Sequence, residues 1–263
     1  MQDILFDALV HFKNICTEHN LKYFITNGTL IGAAKYNDFV PWDDDADIMM
    51  PRSDYEKLLS LSKINNDRYF LVSKNTVPGW RMPYAKLTDL RTKLSEGHYE
   101  FGFDLGVSVD VLPVDNWHPV KPLAKFQALR CDIYKRMLIA ANASCLETKK
   151  TGIKRLILLL IYKSGKMFGY QRSRRRIEKI ALKNSSRKAK FSGCVVWAGH
   201  GAKEILPTEV FSDTRFLCLR GEQFSVPVGY EAYLDSLYGA WKEEPPEEKR
   251  VSNHNIKAWW RDE

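Results

Sequence analysis

Residues 41–48 read PWDDDADI and set four carboxylates, Asp43, Asp44, Asp45 and Asp47, within five positions. Carboxylates this close repel one another, and burying part of the group raises pKa values unless cations neutralise it. Mg²⁺ or Mn²⁺, which prefer oxygen ligands, are natural partners. Side chains at i and i+2 of a strand share a face, so Asp45 and Asp47 can converge on one site while Ala46 and Ile48 turn to the core. A solvated acidic loop is the competing reading, weakened by the apolar flanks and by a glycine turn upstream. Asp110 interrupts the apolar pattern VSVDVL of residues 107–112. A buried carboxylate without a partner is expensive, so Asp110 belongs at a strand edge facing positive charge. A neighbouring strand that brings it to cations held by Asp45 and Asp47 would satisfy it; a core aspartate bonded to backbone or to an arginine is the alternative. Gly28-Thr29, at the start of a helix, offers backbone N–H groups and a hydroxyl to a phosphate.

The elements that must position these groups follow from periodicity. Ile4, Leu5, Ala8, Leu9, Phe12, Ile15 and Cys16 recur at helical spacing and predict an amphipathic helix over residues 2–19. A strand is expected at 21–26, ending at the Asn27-Gly28 turn signal, followed by a short helix over 28–36. A polar loop over 37–44 leads to a strand at 46–50 and a helix at 53–61. Further strands are expected at 69–72, 84–87 and 107–112. Residues 121–145 and 153–184 read as helical, the second stretch broken near Gly165 and Gly169. Short strands follow at 194–198, 216–219 and 223–226, then a helix over 230–238 that stops at Gly239. Residues 243–250 (EEPPEEKR) form an exposed loop.

A chain of 263 residues fits one large domain or two small ones and buries roughly three quarters of its unfolded surface. Its composition, 44% hydrophobic and 27% charged, excludes a disordered chain. The formal net charge of +8 is concentrated in residues 154–190, which hold thirteen Lys/Arg against the single acid Glu178, and the remainder is net −4. That division argues against a diffuse nucleic-acid-binding surface. The five cysteines, Cys16, Cys131, Cys145, Cys194 and Cys218, are scattered, without a C-x-x-C pair. They suggest buried thiols in a reducing compartment rather than a disulfide framework or a zinc site. The amino end lacks a basic n-region, so no secretory signal is expected. The apolar run of residues 156–162 falls far short of the ~18 residues of a membrane span.

A glycine turn, a short helix, a strand with two carboxylates and a third carboxylate on a later strand together form the logic of nucleotidyltransferase-fold enzymes, in which carboxylates hold cations that bridge phosphates. The residues themselves go further. GTLIGAAKYNDFVPWDDDADIMMPRSDYEKL resembles the signature of the LicD / fukutin-related family, and SVDVLPVD (108–115) is similar to that family's later acidic strand. The resemblance returns in GEQFSVPVGYEAYLDSLYG and in the PPEEKR stretch reaching His254. It covers most of the chain except the basic helical region. It implies an α/β (α+β) nucleotidyltransferase-like mixed-sheet core over 1–120, a basic helical insertion over 121–190, and a C-terminal elaboration over 191–263 that completes the same domain. It also implies transfer of a phospho-alcohol, phosphocholine before ribitol phosphate, from a CDP-activated donor such as CDP-choline to a sugar hydroxyl of a cell-surface glycan: a teichoic acid, a lipopolysaccharide or a capsule. Carried over by position, Asp45, Asp47 and Asp110 would be catalytic metal ligands supported by Asp43, and Gly28 and Thr29 would face the donor diphosphate. Lys35 stands where many members carry Arg and would meet phosphate as a point charge rather than a bidentate fork.

Arg52 could reach a phosphate, with a structural ion pair as the alternative, and His254 could contact donor or acceptor. His200 sits in a turn-forming A-G-H-G stretch. Trp42 and Trp80 could stack on a base or sugar or pack in the core. The basic segment 153–190 fits a helix lying on an anionic membrane surface, which suits a lipid-linked acceptor and a cytoplasmic protein at the inner face of the membrane. A grip on a phosphate-rich glycan and a merely solvated face are its other readings. Two further functions stay open: a nucleotidyltransferase moving NMP to a small molecule, and a non-catalytic glycan- or nucleotide-binding scaffold. Nucleic acid is not an expected partner.

Overall fold

The computed structural model describes residues 1–97, 99–146, 148, 150–185, 189–252 and 256–261. In chain order the elements are α1 (Gln2–Glu18), β1 (Phe24–Thr26), α2 (Asn27–Tyr36), β2 (Asp47–Pro51), α3 (Arg52–Leu58), β3 (Tyr69–Val72), β4 (Ala85–Asp89), β5 (Thr92–Glu96) and β6 (Ser108–Asn116). Three helices follow, α4 (Lys121–Asn142), α5 (Gly152–Phe168) and α6 (Tyr170–Leu182). The chain continues through β7 (Phe191–Gly193), β8 (Leu206–Pro207), β9 (Thr214–Leu219), β10 (Glu222–Pro227), α7 (Tyr230–Tyr238) and β11 (Ile256–Trp260).

The main sheet runs β1-β2-β6-β4-β3, with β7 on the far end of β6 and β8 on β7. Strands β2 and β6 are parallel and the other pairs antiparallel, so the sheet is mixed. The central strands β2, β4 and β6 are mostly buried, their apolar residues interrupted by Asp47, Lys86 and Asp110. Helix α1 lays Leu5, Ala8, Leu9, Phe12, Ile15 and Cys16 onto this core, the stripe its periodicity predicts. Hairpin β9–β10 and the ribbon β5–β11 stand outside the main sheet. The fold is therefore mixed α/β, as expected.

Several boundaries differ from expectation for local reasons. Strand β1 starts at Phe24 rather than residue 21, because the Leu21 N–H bonds to the Cys16 carbonyl (2.8 Å) and closes the end of α1. The strand expected at 194–198 is instead β7, three residues earlier. Cys194, Val195, Val196 and Ala198 are buried in a turn, and a short apolar run does not distinguish the two by pattern. Strands β5 and β11 carry no clean alternation and were not anticipated. The long helical stretch breaks at Gly169, whose φ of +76° ends α5 and starts α6.

Helix α5 is the least covered of the large elements. Ile153, Leu156, Ile157, Leu160 and Met167 are exposed, and Gly165 is its buried position, seated on α4 at Met137 and Ala140. Among the described residues no helix is long and apolar enough to cross a membrane.

Candidate active site

The parallel register of β2 and β6 pairs Asp47 with Asp110. The flanking strands continue the row, with Thr26 of β1 opposite Asp47 and Lys86 of β4 opposite Asp110. Paired positions share a face of the sheet, so two carboxylates and one ammonium stand side by side. Lys86 donates from Nζ to Asp110 Oδ1 in a close contact. Burial alone would lower the Lys86 pKa, but the Asp110 carboxylate outweighs it and the net shift is upward. Asp47 is raised well above the ordinary carboxylate range, first by burial and then by the negative charge of Asp45 and Asp110.

The loop before β2 brings the other carboxylates. One oxygen each of Asp43, Asp44 and Asp45 lies within 4.8 Å of the others. Gln2 fixes this loop from α1 by donating to the carbonyls of Val40 and Asp43, each at 3.0 Å, and Ser252 donates to Asp44. A Cβ at Gly28 would lie 2.1 Å from Asp43 Oδ2, so glycine lets that carboxylate lie against the start of α2. Thr29 is buried and its hydroxyl accepts the Asp47 N–H at 3.0 Å, tying α2 to β2. Asn27, with φ +50°, turns the chain from β1 into α2 and donates to Asp47 Oδ2 at 3.1 Å. Tyr233 of α7 donates to Asn27 Oδ1 at 2.6 Å, so the C-terminal part locks the same corner.

These groups open on a cleft of ≈ 610 Å³. Asp43, Asp44, Asp45, Asp47, Asp110 and Lys86 line it, together with the rings of Trp42, Tyr84, Tyr99, Phe101, Trp197 and Tyr238. Glu96, His200 and Glu204 also line it. The Glu204 carboxyl, buried and accepting the His200 N–H at 2.9 Å, is pushed up to about 7 by burial. Burial, then Lys203 and Lys135, push His200 down, and its ring meets Tyr238 edge-on at 4.7 Å.

The cleft thus gathers Gly28, Asp43, Asp45, Asp47 and Asp110, with Thr29 directly beneath. Lys35 and Arg52 are not among its described lining residues. Lys35 is held by Glu244 (2.9 Å) and the Glu243 carbonyl (3.0 Å). Arg52 makes a bidentate pair with Asp115 (2.7 and 2.6 Å) and a bond to Glu56 (3.1 Å). His254 lies outside the described residues. Trp80 is core, donating to the Tyr84 carbonyl at 2.7 Å and stacked on Phe101, whereas Trp42 is on the cleft wall under the Arg250 guanidinium. Lys86, Glu96 and Glu204 escaped the sequence reading. Lys86 left a trace, as a lone cation in the apolar run of residues 84–87, which only a buried partner could satisfy.

Oxygen donors at this density suit a hard divalent cation, and the Asp47 carboxyl, raised first by burial and then by its carboxylate neighbours, is a group whose ionised form a bound cation would favour. The arrangement defines a mixed α/β protein with a carboxylate-walled cleft at the join of a strand pair and a glycine-led helix.

Residues 20–121 match the LicD/FKTN/FKRP nucleotidyltransferase domain, the family whose signature the motifs of this sequence resemble. The chain is 24% identical to the lipopolysaccharide cholinephosphotransferase LicD of Haemophilus influenzae, over 98% of its own length and 96% of that protein's. It is also 36% identical over 50 residues to an uncharacterized protein of Rickettsia prowazekii, 19% of each chain.

Proposed function

We propose that this protein transfers phosphocholine from CDP-choline to a sugar hydroxyl of a cell-surface glycan, lipopolysaccharide first, with teichoic acid and capsule as the other acceptors of that class. The observation that carries the reading is the Asp47/Asp110 pair beside the Asp43–Asp45 loop on one cleft. Similarity across nearly the whole length to a cholinephosphotransferase supports it. We take residues 1–120 as a nucleotidyltransferase-type core, 121–190 as a helical insertion and 191–263 as the part that completes the domain.

Asp43, Asp45, Asp47 and Asp110 would hold Mg²⁺ or Mn²⁺, with Asp44 at the rim. Such a cation supplies charge neutralisation of the diphosphate and acidifies a nearby hydroxyl. In the transfer the acceptor oxygen bonds to the phosphorus that carries choline. The anhydride bond to CMP breaks, and its electron pair leaves on the CMP phosphate. The hydroxyl proton passes to a carboxylate, for which Asp110 is the candidate. Lys86, already on Asp110, is placed to meet the charge that develops on the transferred group. Gly28 lets the carboxylate loop close on the helix N-terminus, whose free N–H groups suit the donor diphosphate. Thr29 acts through Asp47, by fixing the strand that presents it. Lys35, Arg52 and His254 remain proposed donor contacts; for Lys35 and Arg52 that role requires leaving the ion pairs described above.

Helix α5 and the basic segment 153–190 support peripheral attachment at the inner face of the cytoplasmic membrane, where a lipid-linked acceptor is presented. The test is incubation with a panel of CDP-alcohols and Mg²⁺, with and without a glycan extract. Release of CMP with CDP-choline and acceptor supports the proposal, whereas release of pyrophosphate from a nucleoside triphosphate with no CMP from any CDP-alcohol overturns it in favour of NMP transfer.

A further inference from the structure

One part of the cleft is not used by the carboxylate chemistry. Four aromatic rings line it beside Lys86. Tyr84 and Trp197 lie 5.4 Å apart between centroids and Tyr99 and Phe101 lie 5.0 Å apart. Lys86 Nζ stands between the two pairs, 5.8 Å from the Tyr84 centroid and 5.5 Å from that of Phe101. Trp197 has the Lys135 ammonium at 5.8 Å. Each of these lysines has an anionic partner elsewhere, Asp110 for Lys86 and Asp132 for Lys135. The rings therefore already sit where ammonium groups are held against π-faces. Glu96, on the neighbouring strand β5, lines the same space. Its charge reaches Tyr99, whose hydroxyl is pushed up to about 12 by burial and by Glu96 against the bond from Asn142. An apolar, aromatic wall with one carboxylate beside it attracts a cation too large and too poorly hydrated to pair with the aspartates.

We infer that Tyr84, Tyr99, Phe101 and Trp197, with Glu96, form the subsite for the quaternary ammonium end of the transferred group, and that Lys86 marks the boundary where its phosphate begins. The assignment rests on the proposed phosphocholine transfer and adds to it the residues that choose the alcohol. Lys86 bridges the carboxylate row and the rings, so one small zwitterion can place its phosphate at the ammonium and its trimethylammonium on the aromatic faces. A polyol phosphate would find no hydrogen-bonding partners among these ring faces and would be disfavoured.

The experiment compares phosphocholine with its neutral isostere 3,3-dimethylbutyl phosphate, of the same shape without the charge, by calorimetric titration of the full chain. Wild type is expected to prefer phosphocholine by about ten-fold, the scale of a desolvated cation–π contact. Tyr99→Leu, Trp197→Leu and Glu96→Gln should each reduce that preference, while Trp197→Phe keeps most of it. Affinity for CMP and the circular dichroism spectrum serve as controls that the fold and the rest of the cleft persist. Equal binding of the two ligands by wild type overturns the assignment, as does a preference that survives in both Leu variants and in Glu96→Gln. If phosphocholine transfer proceeds without cation discrimination, this subsite fails and the proposed function stands; if phosphocholine neither binds nor is transferred, both fail.

Discussion

Asp47 sits between a neighbouring carboxylate on β6 and three more on the preceding loop. Removing its charge without changing its shape should therefore remove cation affinity before it disturbs the fold. Asp47→Asn is expected to lower CMP release on the order of 10²–10³-fold, with a melting temperature at or above that of wild type, since burial and repulsion oppose its ionisation. Normal turnover in that variant would end the ligand assignment. Glu204 gives a separate test at this scale. Its folded pKa of about 7 lies above the ordinary value of 4.5, so the folded state holds a proton that the unfolded state has released across that window. Stability contributed by protonated Glu204 is thus present below about pH 4.5 and lost as pH rises towards 7. Glu204→Gln should flatten the melting temperature across this range, and an unchanged slope would show that the group titrates normally. At this scale the sequence was a good guide to the carboxylates and a poor one to their partners. Asp45 and Asp47 stood out as part of a dense run of carboxylates and Asp110 as a charge within an apolar pattern, but Lys86, Glu96 and Glu204 have neighbours that are far away in sequence. Arg52 shows the reverse: its motif position suggested a phosphate, and its bidentate pair with Asp115 occupies the guanidinium.

Among the elements, α2 and the loop that follows it set the geometry of the site. Gly28 is the position where the helix and the carboxylate loop meet without room for a methyl group. Gly28→Ala should push the Asp43 side chain away, because a flexible carboxylate yields more readily than backbone. Mn²⁺ affinity measured by paramagnetic resonance is expected to fall, while unfolding free energy changes by about 1 kcal/mol or less. A variant that binds Mn²⁺ as wild type does would show that Asp43 is not a ligand. The helices α1 and α7 and strands β2 and β3 were readable because each carries an apolar period or a clear stop residue, whereas β6, expected to end at residue 112, runs on to Asn116. Strand β7 was misplaced by a few residues, since the buried turn after it is as apolar as a strand. Ribbon β5–β11 escaped because both strands are half exposed and joined across most of the chain.

For the whole molecule, charge and apolar exposure fall together on the helical segment. Ile153, Leu156, Ile157 and Leu160 are exposed on α5, and Lys154, Arg155, Lys163 and Lys166 lie on the same helix. Such a face binds anionic lipid through both burial and attraction. Full-length protein should cosediment with phosphatidylglycerol vesicles more than with phosphatidylcholine vesicles, and less at high salt. The pair Leu156→Glu and Ile157→Glu should abolish this without affecting transfer to a soluble acceptor. Retained sedimentation in that variant would remove α5 from the docking surface, and concentration-dependent dimerisation lost in it would assign the face to a second copy of the chain.

The sequence by itself determined the acidic loop, the strands that carry Asp47 and Asp110, the glycine-led helix and the confinement of positive charge to one segment. These are local properties, written in the spacing of a few residues and in the cost of burying charge. Only the tertiary structure decided that Asp47 and Asp110 are neighbours in a parallel register, that Lys86 joins them, and that aromatic residues from three separate stretches meet beside it. Strand pairing across sixty residues and side-chain packing across more than a hundred are settled by the whole core at once, and no periodicity in one segment records them.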